Sequence, residues 1–185
     1  MTQATLANVK VAILATDGFE QSEMTQPRQA LDQAGAKTVL VSLKPGEIRS
    51  WSGKDWGDRF KVDLAITDAH ARDFDALVLP GGVMNPDHLR INAAAVAFVK
   101  AFVDAKKPIA AICHGPWTLI NAGGVAGKRM TSWPSLEADL RNAGANWIDD
   151  QCVVDGALVT SRKPDDLPAF CAHMVKLFDK AVAHA

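Results

Sequence analysis

The stretch IAAICHGP sets a cysteine and a histidine side by side where the apolar run Ile109–Ile112 ends, and then turns on Gly-Pro. Asn, Asp, Ser or Gly would serve a plain connecting turn better. A nucleophile on a sharp strand-to-helix turn needs small residues two before and two after it. Ala111 and Gly115 hold those positions around Cys113. Pro116 suits the first turn of the helix that follows, where its missing N–H would have no partner. The N–H groups and dipole at such a helix start favour thiolate, so a lowered thiol pKa is expected for Cys113.

Two other stretches could serve this thiol. Pro80-Gly81-Gly82 can turn backbone N–H groups toward a ligand, because glycine allows close approach and positive φ. With the N–H that follows Cys113, it could form an oxyanion hole. Beyond the first apolar run lie Asp17, Glu20 and Glu23; Glu20 could hydrogen-bond the Cys113 sulfur, and spacing alone does not choose among the three. Trp117 and Trp133 are adjacent to the expected site. A tryptophan packs more often than it recognises, and Trp133 joins Gly81 and Gly82 as a substrate-binding candidate.

Cys152 and Cys171 fall on apolar runs and read as core residues. His173 lies off its helical stripe and reads as exposed, as does His184. His70 and His88 lie near loop-like segments without metal-ligand spacing. No zinc pattern, P-loop or dinucleotide fingerprint is present, so neither a metal nor a cofactor is expected.

The elements that must position these residues follow from the apolar pattern. VAILA (Val11–Ala15), TVLVSL (Thr38–Leu43), ALVLP (Ala76–Pro80) and IAAI (Ile109–Ile112) read as strands buried on both faces. MTQPRQALDQA reads as a helix stopped by Gly35, with Pro27 predicting a kink or a late start. Ala93–Ala105 places Val96, Val99 and Val103 on one stripe with Phe102 beside it. A last helix from about Asp165 places Leu167, Phe170, Cys171, Met174, Phe178 and Val182 at core spacing. Segment 44–63 suits a small hairpin, and Cys152–Ser161 a second one turning at Asp155-Gly156. Strand alternating with helix predicts a doubly wound α/β sandwich, whose ligands bind beyond the carboxyl edge of the sheet.

The whole chain fits one domain over residues 1–185. It is 48% hydrophobic and 22% charged, with 20 Lys plus Arg against 21 Asp plus Glu. That length buries about 70% of the unfolded surface. The even charge balance gives no nucleic-acid footprint. No signal-like start or membrane-length apolar run is seen, and three widely spaced cysteines give no disulfide framework. A cytoplasmic protein is expected.

The stretches DGFEQSE, DALVLPGG, NPDHLR, AAICHGP, TSWP, NAGANW and VTSRKPDDLPAF resemble, in order, the PfpI-type branch of the ThiJ/PfpI superfamily, from about Lys10 to Phe178. The resemblance implies a flavodoxin-like three-layer α/β/α sandwich with a mostly parallel sheet, related to class I glutamine amidotransferases, and a homodimer or hexamer. It implies Cys113 as nucleophile, His114 as acid/base, Glu20 as the carboxyl on the sulfur, and Gly82 with the His114 N–H as oxyanion donors. Asp87 matches the acidic residue that reaches the partner subunit's histidine; some members carry Glu there.

Three functions follow from the resemblance. One is a cofactor-independent glyoxalase or deglycase acting on 2-oxoaldehydes such as methylglyoxal. A second is a cysteine peptidase or amidase acting on peptides. The third is a non-enzymatic peroxide sensor or chaperone-like stress protein.

Overall fold

The computed structural model describes residues 5–182. Its strands and helices are, in chain order, β1 (Lys10–Leu14), α1 (Gln21–Gln33), β2 (Lys37–Ser42), β3 (Glu47–Ser52), β4 (Asp55–Lys61), β5 (Leu64–Ala65), β6 (Ala76–Leu79), α2 (Met84–Arg90), α3 (Ala93–Asp104), β7 (Ile109–Ile112), α4 (Pro116–Asn121), β8 (Arg129–Met130), α5 (Glu137–Asn142), β9 (Asn146–Trp147), β10 (Cys152–Asp155), β11 (Leu158–Ser161) and α6 (Leu167–Val182). No described helix is long and apolar enough to cross a membrane.

Seven strands form one sheet in the order β10-β11-β7-β6-β1-β2-β5. All pairs are parallel except the β10–β11 hairpin at the edge. Alternate residues of the central strands feed opposite faces. Val11, Ile13, Val78, Ala110 and Ile112 pack with Met24 and Leu31 of α1 and with Phe170, Met174 and Phe178 of α6. Ala12, Leu14, Leu77, Leu79 and Ala111 pack with Leu89, Phe98, Phe102, Leu119 and Leu140 of α2 to α5. The result is the expected flavodoxin-like three-layer α/β/α sandwich, with buried runs where both faces are covered.

Three details differ from the sequence reading. Helix α1 does not start late: it begins at Gln21 and runs through Pro27, with Glu23, Met24, Pro27 and Leu31 on its buried face. It ends where Gly35 adopts φ 94° and Ala36 N–H bonds back to Leu31 O at 3.0 Å. The buried stripe of α3 is Ala95, Phe98, Val99 and Phe102, not the valine row; Val96 and Val103 are half-buried because the larger phenylalanine rings take the centre. Cys152 and Cys171 are half-buried at the margin of the core. His173 is exposed, as are His70 and His88; His184 and the Val182 side chain lie outside what the structure describes.

Both hairpins form, β3 with β4 and β10 with β11, the second across Gly156-Ala157. The first is tied to the sheet's carboxyl edge: Gly18 N–H donates to Arg49 O at 2.8 Å, and Trp51 N–H to Phe19 O at 2.7 Å. Strand β1 has β2 on one side and β6 on the other, so the chain reverses its direction of travel there. That is where an open α/β sheet opens a crevice.

Candidate active site

The exits of β1, β6 and β7 meet at this crevice, a cleft of about 500 Å³. Cys113 follows β7 with φ 61°, a left-handed conformation unusual for a residue with a side chain. The strand, sharp turn and helix α4 form the nucleophile elbow expected from Ala111 and Gly115. A Cβ on Gly115 would sit 2.5 Å from Leu79 O, so only glycine fits. The turn is held from both sides: Cys113 N–H donates to Ser161 O at 3.0 Å, and Trp133 N–H to Cys113 O at 2.9 Å.

The sulfur is nearly buried and ringed by hydrogen-bonding groups. The backbone N–H groups of Gly82 and His114 both donate to it, the pair anticipated as an oxyanion hole. His114 Nδ1 lies 3.1 Å from Sγ, and Nε2 lies 3.4 Å from Ser135 Oγ. The imidazole stacks on Trp133 at 6.0 Å and meets Trp117 edge-on at 5.2 Å. Burial lowers its pKa to about 4, so the ring is neutral across the physiological range.

The carboxyl on the sulfur is Glu23, not Glu20. Glu23 is fully buried, its Oε2 accepts from Gly81 N–H at 3.0 Å, and its side chain hydrogen-bonds Cys113. Glu20 caps α1, is half-buried, and turns its carboxyl to the Gly53 N–H. One turn further along α1, Glu23 falls on the helix face that packs against the sheet. Gly81 makes room for this contact, since a Cβ there would meet Cys113 Cβ and Glu23 Oε2, both at 2.5 Å. Asp17 is occupied elsewhere, accepting from Arg49 N–H at 2.6 Å.

The thiol pKa is raised rather than lowered. Burial is the main cause, followed by the charge of Glu23 when ionised; the Gly82 and His114 N–H groups oppose them. Helix α4, whose start was expected to favour thiolate, is only six residues long. Burial also lifts Glu23, to about 8. At neutral pH Glu23 therefore carries a proton, its repulsion of the sulfur is gone, and the carboxyl and thiol titrate as a pair.

Trp133 lines the rim and is 38% exposed. Asp87 is exposed on α2, outside the cleft lining. Asn85, passed over in the sequence, is fully buried beside the site. It accepts from Thr16 N–H at 2.8 Å and donates to Pro80 O and Gly81 O at 3.0 and 3.1 Å, stapling the exits of β1 and β6. Its position within NPDHLR, one residue after α2 begins, carries no sequence signal stronger than a polar residue among apolar neighbours. Among the described residues, no group of three or more His, Cys, Asp and Glu is disposed to hold a metal ion.

Fold and site together define a flavodoxin-like α/β protein with a cysteine on a nucleophile elbow. The chain belongs to the DJ-1/PfpI family, whose model matches residues 9–177. It is 48% identical over 161 residues to YraA of Bacillus subtilis, named as a candidate cysteine protease, covering 87% of this chain and 93% of the relative. It is 41% identical over 169 residues to protein/nucleic acid deglycase 2 of Escherichia coli, covering 91% and 96%. A two-domain Anabaena variabilis protein, with DJ-1/ThiJ/PfpI-like and ferritin-like domains, superposes with a TM-score of 0.86 at 37% identity. That match covers 91% of this chain and 48% of that one.

Proposed function

We propose that this protein is a Cys113-dependent enzyme of aldehyde detoxification, a glutathione-independent glyoxalase or deglycase acting on 2-oxoaldehydes of the methylglyoxal type. Relatives named deglycases, together with general stress protein 18 of Bacillus subtilis, support a stress enzyme of this family. The observation that carries the finer reading is the buried Glu23 carboxyl, protonated at neutral pH, in hydrogen-bond contact with a thiol that opens on the cleft. Such a pair can donate a proton, take one back, and leave no net charge on the resting site.

The thiol adds to the aldehyde carbon. The new S–C bond forms as the carbonyl π pair moves onto oxygen, and the thiol proton neutralises that oxygen to give a hemithioacetal. The Gly82 and His114 N–H groups, already turned toward the sulfur, are near enough to receive the developing charge. The neutral His114 then removes the proton from the former aldehyde carbon while protonated Glu23 donates its proton to the ketone oxygen, giving an enediol. His114 returns its proton to the neighbouring carbon as the hydroxyl proton on the former aldehyde carbon passes back to Glu23, which leaves an alcohol where the ketone was and a thioester in place of the hemithioacetal. Water opens the thioester to lactate and restores the thiol. No external reductant or oxidant enters.

The test is lactate formation from methylglyoxal without glutathione. Turnover is expected in the wild type and absent in Cys113→Ala. Equal turnover in both, or none in a wild type with reduced Cys113, overturns the mechanism.

A second reading, peptide or amide hydrolysis, draws on the 3.1 Å Cys113–His114 contact and the name of YraA. It predicts acyl-enzyme formation on Cys113 from activated peptide esters, with no lactate from methylglyoxal. In either reading Asp87, exposed on α2, is proposed to approach His114 of a second copy in a homodimer or hexamer.

A further inference from the structure

Glu20 has no part in holding the sulfur, yet it is firmly placed at the cleft. Its backbone N–H donates to Gly81 O at 3.3 Å, Phe19 O beside it accepts from Trp51 N–H at 2.7 Å, and its carboxyl accepts from Gly53 N–H. These bonds fix a half-buried carboxyl on the wall of the cavity that holds Cys113.

The charge around it is one-sided. Among the described residues, no lysine or arginine lines the cleft. Cations nearby in the chain are engaged elsewhere. Arg49 donates to Gly57 O at 3.2 Å and lies over Trp56 at 5.6 Å. Arg162 is clamped by Asp149 at 2.8 Å and Asp166 at 2.9 Å, and Lys163 pairs with Asp165 at 3.4 Å. Lys54, next after Gly53, is exposed and outside the lining. Trp51 and Trp133 contribute aromatic surface, whose faces attract cations.

We propose that Glu20 selects substrates by charge: it draws ammonium- or guanidinium-bearing carbonyl compounds toward Cys113 and disfavours carboxylates and phosphates of the same size. The proposal deepens the reading of Cys113 as the reacting thiol. Its test needs no turnover, so it can fail while glyoxalase activity stands, and the reverse.

Three methanethiosulfonate reagents probe the cleft: trimethylammonioethyl (cation), sulfonatoethyl (anion) and methyl (neutral). In each, Cys113 sulfur attacks the reagent's thiol sulfur, a disulfide forms, and methanesulfinate leaves. Modification of Cys113 is followed by peptide mass spectrometry, which separates it from Cys152 and Cys171, and rates are divided by those of free cysteine. The wild type should favour the cation over the anion, with the gap shrinking as salt rises. Glu20→Gln should slow the cation about fivefold and speed the anion about fivefold, leaving the neutral reagent unchanged. Glu20→Asp should keep the wild-type order.

A wild-type cation-to-anion ratio equal to that of free cysteine overturns the proposal, whatever the variants do. So does a Glu20→Gln variant that shifts all three reagents by one factor, since Glu20 would then act on the sulfur and not on the incoming charge.

Discussion

Glu23→Gln should flatten the fall of stability that the wild-type protein shows as pH rises. Glu23 is fully buried, and its pKa stands at about 8 against an ordinary 4.5. Between those values the unfolded chain has released this proton while the folded protein still holds it. A group with a raised folded pKa contributes its full stability below the unfolded pKa and loses it as pH climbs toward the folded one. At about 1.4 kcal/mol per pH unit, Glu23 should cost the wild type a few kcal/mol, on the order of 3 to 4, between pH 5 and pH 8. Glutamine can keep the hydrogen bond from Gly81 N–H and does not titrate. Urea unfolding of both proteins at pH 5, 6.5 and 8, followed by far-UV circular dichroism, gives the two stability curves. Groups that do not interact with Glu23 contribute equally to both and cancel in the difference. The curves should diverge by a few kcal/mol, with the variant gaining on the wild type at pH 8. Parallel curves would refute the claim that Glu23 is protonated in the folded site, and with it the proton donor in the proposed mechanism.

Asn85→Ala should lower stability by about 3 kcal/mol, because it strands the Thr16 N–H and the Pro80 carbonyl in a buried setting and leaves Gly81 O with only its bond from Glu20 N–H. Thermal unfolding reads the loss, and an unchanged midpoint would mean that water replaces all three bonds. Gly115→Ala should cost about 2 kcal/mol by driving a methyl group against Leu79 O, and should slow modification of Cys113 by the neutral thiol reagent. A variant as stable and as reactive as the wild type would show that the elbow can shift aside.

The elbow was legible in the sequence because its constraint is local: small residues at 111 and 115 are required wherever such a turn carries a side chain. The sheet was legible for a similar reason, since strands covered on both faces cannot hide their apolar runs. The choice between Glu20 and Glu23 was not, because it depends on the rotation of α1. Delaying that helix to suit Pro27 removed the first turn from view. Once the helix begins at Gln21, Glu23, Pro27 and Leu31 fall at four-residue steps, and Glu23 is drawn inward with them. The raised thiol pKa was out of reach for another reason. Burial of Cys113 depends on groups far from it in the chain, Glu23 and Gly82 among them, and no local pattern records it.

Strand β11 has a consequence in time. It supplies the carbonyl of Ser161 that receives the Cys113 N–H, and it flanks β7 on the side away from β6. During synthesis Glu23, Gly81 and Cys113 all emerge before Leu158. Until that later segment docks, β7 is an open margin and the left-handed turn at Cys113 lacks one of its two backbone anchors. A growing chain therefore carries an ordinary thiol, and the chemically distinctive one is assembled only when β11 closes the register.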